Sequence, residues 1–328
     1  DIENIQDIAE EILRIYGIDN IPSKSLQFTE SDRTNEVIEN IEFINELKIK
    51  AVANGFYEAI HFIFDDKERL EKYGFETVDE HLDLINPIAK ELNTLRSTLL
   101  LQLLEDVQRN RANGYKRIYL FSSGSVYNKK REEIQKIAFV VHGQADYENP
   151  KNHGKPEKVD FKFMVDKIAQ ILGDITLEEN DFHPIAHPYQ NAKIIKDGKK
   201  IGVLAKLHPK VAKDFDIDDT YFAEINLDIV SKIKKLAEDI IKFPKVTRDL
   251  SLVVDKDMPY KAIFEIIDSL GIEELKDFYP IDIYDLGDKN SLTIRFILQA
   301  DKTLQENEIN DIMEKILNAL KEKGIELR

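Results

Sequence analysis

The order of predicted elements in residues 243–328 constrains the fold of this chain more than any other feature. The stretch FPKVTRDLSLVVD at 243–255 carries apolar or β-branched side chains at Leu250, Leu252 and Val253, which predicts a strand near 246–254. The patterns that follow predict a helix at 259–270, strands near 275–284 and 291–299, a helix at 305–323 and a short final strand. This β-α-β-β-α-β order is that of the split βαβ, or ferredoxin-like, arrangement.

Two charges, Arg248 and Asp249, stand at the start of the first of these strands. They either close the strand end or mark where a small domain touches something anionic. Residues 243–328 contain 12 Lys+Arg against 18 Asp+Glu, a net charge of −6, so only a local face could bind a polyanion. In the second helix, Thr303 is the predicted N-cap and Glu306 its capping-box partner.

Residues 36–235 alternate predicted strands and helices, which indicates one α+β domain around a mixed, largely antiparallel sheet. The segments RIYLFSSGSVY (117–127) and KIAFVVHGQ (136–144) are predicted to be adjacent antiparallel strands. The segment NAKIIKDGKKIGVLAKLHP predicts a hairpin around Asp197-Gly198. The remaining predicted helices lie at 7–16, 36–54 and 160–173, in DKERLEKYG and over most of 93–114, with a Lys-rich helix at 231–240. The remaining predicted strands lie at 55–64, in HLDLINP and at 221–230.

Composition limits the classes of function. The chain has 328 residues, enough for two or three domains, and no cysteine, which excludes disulfides, thiol nucleophiles and Cys-ligated zinc and fits a reducing cytoplasm. A net charge of −16 does not favour nucleic-acid binding through the overall field of the protein. No apolar stretch is long enough for a transmembrane helix. Because the chain begins in mid-pattern, we expect a fragment of a longer protein.

Acidic residues near the N-terminus form a candidate metal site. Asp7, Glu10 and Glu11 are spaced i, i+3, i+4, so one helix face presents three carboxylates, and Asp1 lies six residues earlier. Clustered carboxylates suit Mg²⁺. The alternative is that Asp7 is an N-cap and Glu10 completes its capping box.

Other candidates are weaker. His183 and His187 are four residues apart, but Pro184 and Pro188 exclude the helix that would pair them on a metal, so turn positions are favoured. Arg96 either binds a phosphate or carboxylate or pairs with a neighbouring acid. No P-loop, nucleophile elbow or dinucleotide fingerprint occurs, so no catalytic residue is predicted.

Several stretches together resemble the beta subunit of bacterial phenylalanyl-tRNA synthetase, in its C-terminal portion and over essentially the whole chain. The segments that carry the resemblance are DIENIQDIAEEILRIYGIDNIP, NPIAKELNTLRSTLLLQLLEDVQRNR, IGVLAKLHPKV, FPKVTRDLSLVVD, and IYDLGDKNSLTIRFILQADKTLQENEI with the terminal Arg. The resemblance implies three parts: the end of a helical DNA-binding-like module with a connector (1–30), a class II synthetase-like non-catalytic domain (31–240), and a ferredoxin-fold anticodon-binding domain (241–328).

The resemblance also implies partners and sites. A magnesium ion near the junction with the catalytic alpha subunit would be held by Asp1, Asp7, Glu10 and Glu11. The complex would be an α2β2 tetramer in the cytoplasm that uses ATP, with no ATP bound by this segment. The editing module of the family would precede Asp1. The C-terminal domain would contact the anticodon region of tRNA(Phe), and its arginines are the candidates: Arg248, Arg295 and Arg328.

The middle segment contains no arginine between 132 and 247, although adenylate formation needs arginines to hold the ATP phosphates. We therefore expect it to dock the alpha subunit rather than catalyse. Two alternatives remain open: a free-standing RNA-binding or protein-docking module, and an enzyme with an unrecognised ATP site.

Overall fold

A computed structural model describes residues 2–27, 35–179, 182–230 and 240–328. They belong to two compact units, Asp1–Ile233 and Lys234–Arg328. The Lys-rich helix predicted at 231–240 lies outside the described residues except for Ile240. Within the described ranges, no helix combines the length and apolar character needed to span a bilayer.

The first unit combines six helices with a large sheet among its described residues. The helices are α1 (Ile5–Tyr16), α2 (Glu36–Ala53), α3 (Lys67–Lys72), α4 (Leu100–Ala112), α5 (Phe161–Leu172) and α6 (Pro209–Asp214). The strands are β1 (Tyr57–Glu58), β2 (Phe64–Asp65), β3 (Thr94–Leu95), β4 (Arg117–Tyr127), β5 (Glu133–Gly143), β6 (Thr176–Glu179), β7 (Ala186–Lys196), β8 (Lys199–Leu207) and β9 (Thr220–Asn226).

Seven of these strands form one sheet in the order β1-β4-β5-β9-β8-β7-β6, while β2 and β3 pair separately. Strand β1 runs parallel to β4, and the other neighbours are antiparallel, which confirms the predicted mixed, largely antiparallel sheet. The β7–β8 hairpin turns at Asp197 (φ 49°) and Gly198 (φ 72°), the positive values that a two-residue hairpin turn requires.

Both faces of this sheet are covered, which explains the continuous apolar run in β5. Phe139 packs with Met164 and Ile168 of α5 on one face. Its neighbour Val140 packs with Leu103 of α4 on the other face. Because successive strand residues point to opposite faces, a strand buried on both sides has no polar alternation.

Two predicted strands of this unit are wrong. The segment 55–64 forms only the short β1 and the first residue of β2, because after Tyr57–Glu58 the chain makes one more bond, from the Ala59 amide to Phe121 O (2.8 Å), and leaves the sheet. The segment HLDLINP (81–87) begins within a 3₁₀ turn, Glu80–Leu82, and contains no strand.

The predicted start of α1 is also wrong. The helix begins at Ile5 with Asn4 as its N-cap, whose side chain accepts from the amides of Gln6 and Asp7. Asp7 is the capping-box partner three residues later, and its Oδ2 accepts from the amides of Asn4 (3.1 Å) and Glu3 (2.8 Å). Asparagine is as good an N-cap as aspartate, so the sequence allowed either start.

The second unit has the predicted β-α-β-β-α-β order, which confirms the ferredoxin-like arrangement. Its elements are β10 (Val246–Asp255), α7 (Tyr260–Asp268), β11 (Leu275–Asp285), β12 (Lys289–Leu298), α8 (Glu306–Glu322) and β13 (Glu326–Leu327). The sheet order is β11-β12-β10-β13, and α7 and α8 cover one face of it through Ile263, Ile312 and Ile316. The N-cap of α8 is Gln305, with Glu308 as its capping-box partner, so the predicted pair Thr303 and Glu306 is wrong by two residues.

Candidate functional site

The open face of the four-stranded sheet, opposite α7 and α8, carries two of the three predicted RNA-binding arginines. Side chains alternate along β10 and β12: Leu252, Ile294 and Phe296 are fully buried in the core under the helices. Asp249 and Arg295, one residue out of phase with that set, therefore lie on the opposite face, where no helix covers them.

Asp249 and Arg295 stand directly opposite each other across β10 and β12. The Arg295 guanidinium donates two bonds to the carboxylate, Nε to Oδ1 at 2.9 Å and Nη2 to Oδ2 at 2.8 Å. This pairing lowers the pKa of the Asp249 carboxyl. On an exposed face a planar, bidentate guanidinium of this kind can exchange a carboxylate for a phosphate, which presents similar oxygens.

Arg328 lies on the same open face, although it is the last residue of the chain. Its amide donates to Ser251 O (2.9 Å), which extends the β10–β13 ladder by one residue. Its guanidinium lies 5.6 Å from the ring centroid of Tyr284. The chain fold therefore places Arg295 and Arg328 on the same face of the sheet.

Two tyrosines complete this surface. Tyr279 stands opposite Arg295 on β11, and Tyr284 stands opposite Ser291; their exposed fractions are 40% and 59%. Exposed rings beside guanidinium groups can stack on unpaired bases while the cations bind phosphates. Neither tyrosine was predicted, because register shifts around Leu275 and Pro280 change which face the β11 residues occupy.

Arg248 occupies the other side of β10. It stands opposite the fully buried Phe296, so it lies on the helix-covered face. Its Nη2 lies 2.9 Å from both carboxylate oxygens of Glu306, the first residue of α8. The structure thus separates Arg248 from Arg295 and Arg328 and ties it to a helix start within its own unit.

An exposed apolar surface lies beside the short β1 edge of the large sheet. Tyr57 begins the surface, and Ile60 and Phe62 follow where the chain has left the sheet, with exposed fractions of 88% and 69% for the last two. Ile85 and Ile88, in the irregular segment that leads to β3, are also exposed. We call these five residues the apolar edge. Large apolar side chains left exposed in this way are a feature of protein–protein contacts.

The predicted metal ligands do not form a cluster in the part of the chain that the structure describes. Asp7 caps its own helix, as above, and Glu11 pairs with Arg14 at 2.8 Å. Glu10 lies on the exposed surface of α1, and Asp1 falls outside the described residues. Across residues 2–27, 35–179, 182–230 and 240–328, no group of three or more His, Asp or Glu side chains could hold a metal ion. Asp7, Glu10 and Glu11 therefore form no metal-binding cluster by themselves among the described residues, and Asp1 is the fourth predicted ligand.

Arg96 has neither of its predicted roles in the first unit. It is buried, and it donates to Ser125 O (2.9 Å), Phe62 O (3.3 Å) and the Gln102 side chain (3.2 Å). Burial lowers its pKa. A Cβ at Gly124 would stand 2.7 Å from its Nη2, so the glycine makes room for the guanidinium. Arg96 is therefore a brace between the backbone segments on either side of it.

His183 opens a turn, as predicted, since the Ala186 amide donates to its carbonyl oxygen (3.1 Å). His187 instead lies in β7 and not in a turn. The two histidines meet different neighbours: His183 packs against Phe75 and Phe222, and His187 against Tyr189. The structure therefore supports no shared metal site for this pair.

Comparison with known families covers nearly the whole chain. Residues 21–227 match the family described as the phenylalanyl tRNA synthetase beta chain CLM domain. Residues 242–328 match the family described as the ferredoxin-fold anticodon binding domain.

The curated relatives that the chain matches are phenylalanine–tRNA ligase beta subunits. The chain is 43% identical over 334 residues to a phenylalanine–tRNA ligase beta subunit of Sulfurimonas denitrificans, covering 100% of this chain and 43% of that protein. It is 41% identical over 333 residues to the Campylobacter jejuni subunit, with the same coverage. The Helicobacter pylori subunit is 40% identical over 326 residues, covering 98% of this chain and 42% of that protein. The chain thus spans less than half the length of these relatives.

Among solved structures, the chain aligns with a pyrrolysyl-tRNA synthetase from Desulfitobacterium hafniense with a TM-score of 0.43 and 12% identity. The alignment covers 69% of this chain and 74% of that one.

Proposed function

Because the chain belongs to the phenylalanyl-tRNA synthetase beta-chain family, we propose that it acts within a phenylalanine–tRNA ligase as a non-catalytic portion of the beta subunit. It docks the catalytic alpha subunit, in an α2β2 tetramer, and positions tRNA(Phe) for ATP-dependent aminoacylation in the cytoplasm. The apolar edge carries the docking part of this proposal, and the open sheet face carries the tRNA part.

The apolar edge suits a lasting interface. Ile60 and Phe62 follow a two-residue strand, so the sheet ends here with large apolar side chains in water. Burying such side chains yields roughly 1.5–3 kcal/mol each, which makes a permanent partner the simplest way to cover them. The alpha subunit is the partner that family membership points to.

The open face suits the anticodon region of tRNA. Its two arginines and two tyrosines are Arg295, Arg328, Tyr279 and Tyr284. They stand within a unit whose net charge of −6, counted over 243–328, opposes RNA at long range. Screening limits that repulsion to about 8 Å at physiological salt, so a local cationic face can bind once the alpha subunit has placed the tRNA nearby.

The positions of the arginines support the proposal that this chain is not itself catalytic. Residues 132–247 contain no arginine. The Arg96 guanidinium donates to two backbone carbonyls and to the side-chain amide oxygen of Gln102. Residues 132–247 therefore supply no guanidinium to hold ATP phosphates, which supports the proposal that the complex uses ATP through its alpha subunit.

The family resemblance is the basis for proposing a magnesium site in this chain. Asp1, Asp7, Glu10 and Glu11 would supply carboxylate oxygens, the hard ligands that Mg²⁺ prefers. The test is Asp7→Asn together with Glu11→Gln in the full-length subunit. If alpha–beta assembly keeps the same magnesium dependence, these residues are not its ligands.

The docking proposal is tested by co-purification with an alpha subunit. We expect the double change Ile60→Glu and Phe62→Glu to abolish the complex, because it places two charges in a desolvated contact. Tyr189→Glu is the matched control, since Tyr189 is 90% exposed but lies on β7, toward the other edge of the sheet. Complex formation by the double variant, or its loss in the control alone, would contradict the proposed surface.

The same experiments separate the alternatives. A free-standing RNA-binding or docking module would bind tRNA or another protein but would not co-purify with the alpha subunit. An independent enzyme would bind ATP as an isolated chain and catalyse pyrophosphate exchange dependent on phenylalanine. We expect neither.

A further inference from the structure

A cavity of about 430 Å³ lies in the first unit on the α4-covered side of β5, β9 and β8. Its lining contains a polar group, Ser97, Lys136, His183 and Glu224, and apolar walls that include Phe75 and Val203. None of these six residues has a role in the docking surface or in the open sheet face. The cavity therefore needs an explanation of its own.

The polar end of the cavity is organised around a buried ion pair. The Lys136 ammonium lies 2.7 Å from Glu224 Oε2, while Oε1 accepts from the Thr98 hydroxyl (2.7 Å) and the Leu99 amide (2.9 Å). Burial alone would raise the pKa of the Glu224 carboxyl, but Lys136 and these donors lower it. The carboxylate is satisfied within the protein, whereas an ammonium has three protons to donate.

Two buried polar atoms line the same cavity without a partner. Ser97 Oγ and His183 Nδ1 have no hydrogen-bond partner among the described residues. An unsatisfied buried polar atom typically costs 1–3 kcal/mol, so two of them at one cavity point to a ligand or to ordered water.

Charge and shape define the ligand. Lys136 and Lys200 are the cations of the lining, and Glu224 is the one carboxylate among its described residues, so the cavity carries a net formal charge of +1. A single negative charge on the ligand matches this excess. The remaining wall is apolar, so the rest of the ligand is expected to be apolar as well.

We propose that this cavity is a binding site for a small carboxylic acid with an apolar body. The carboxylate accepts from the Lys136 ammonium and the Ser97 hydroxyl, with Lys200 at the rim, while the body packs against Phe75 and Val203. In a neutral imidazole only one of the two ring nitrogens carries a proton. Depending on the tautomer, His183 Nδ1 donates to the carboxylate or accepts from a bridging water.

The test uses the full chain and 3-phenylpropionate as the probe, with the uncharged 3-phenylpropionamide as its partner. Titration calorimetry should give saturable binding of the acid with a dissociation constant on the order of 1 mM, as expected for a ligand of this size. The amide should bind at least tenfold more weakly. Equal binding of the two compounds, or no saturation by the acid, would overturn the proposal and leave ordered water as the partner of Ser97 and His183.

Variants locate the site. Ser97→Ala and Lys200→Gln should each weaken binding of the acid by about three- to tenfold, because each removes one polar contact. Lys199→Gln is the matched control: Lys199 is the exposed neighbour of Lys200 in β8 and does not line the cavity. Unchanged binding in both cavity variants would place the acid elsewhere and overturn the proposal. Lys200 is exposed, so this variant should fold even if Ser97→Ala does not.

Discussion

Arg248 and Asp249 are neighbours in the chain, yet their side chains lie on opposite faces of β10 and pair with different partners. Arg248 binds Glu306 at the start of α8, and Asp249 binds Arg295 across the sheet. A charged dipeptide at a strand start thus serves two purposes. One charge ties a helix to the sheet, and the other lies on the face proposed to meet tRNA.

Arg248→Ala should lower the stability of the second unit and leave the KM for tRNA unchanged. The lost contact is a partly exposed ion pair, worth roughly 0–1 kcal/mol, and it lies on the face away from Arg295 and Arg328. Thermal unfolding and aminoacylation by the assembled ligase measure the two effects. Glu306→Gln should produce a similar loss, and the double variant should add little. A raised KM for tRNA in Arg248→Ala would return this arginine to the RNA interface.

Asp249→Asn should strengthen tRNA binding. The substitution removes the carboxylate that occupies the Arg295 guanidinium and one negative charge from the open face. Arg295→Ala and Arg328→Ala should each raise the KM for tRNA by about three- to tenfold and reduce its salt dependence, because each removes a phosphate partner. Binding measured at two salt concentrations distinguishes these effects. If Asp249→Asn weakens binding instead, the ion pair itself is part of the interface.

His183 should make the first unit less stable as pH falls from about 6.5 to about 4. Burial lowers the pKa of His183 in the folded protein from 6.5 to about 4, so the unfolded chain binds the proton more readily between these values. The stability is complete above the unfolded pKa, and the loss approaches about 3 kcal/mol below the folded one. Urea unfolding across this range measures it. Replacing the ring by His183→Phe should flatten the dependence, whereas His81→Gln, at an exposed site, should not.

Gly124→Ala should destabilise the first unit more than Gly114→Ala. Both glycines have positive φ, so both substitutions strain the backbone. At Gly124 the new Cβ would also stand 2.7 Å from Arg96 Nη2, whereas nothing lies within 4 Å of it at Gly114. Displacing the buried guanidinium from its acceptors should cost a further 1–3 kcal/mol or so, visible as a difference in unfolding midpoint. Equal losses would mean that Arg96 shifts without leaving its carbonyls.

The sequence correctly predicted the helices and strands whose formation depends on the local pattern of apolar and turn residues. Alternation and turn chemistry were sufficient for the β-α-β-β-α-β order of residues 243–328 and for the hairpin at Asp197-Gly198, because hydrophobic period and backbone conformation act over a few residues. Local pattern was insufficient for 55–64, where most of the apolar residues that predicted a strand lie outside the sheet. A strand needs a partner along its whole length, and only the assembled sheet decides whether one is available.

The sites depended on tertiary structure. Asp249 and Arg295 are 46 positions apart, and which face they share follows from the register of β10 against β12. Ser97, His183 and Glu224 meet in one cavity because the folded chain packs two segments outside the strands beside β9, although no spacing in the sequence connects them. Register is determined by the simultaneous packing of both sheet faces, since a shift of one residue would exchange every buried side chain for an exposed one. The sequence by itself therefore determined that Asp249 and Arg295 lie on strands, and tertiary packing decided which charges became neighbours.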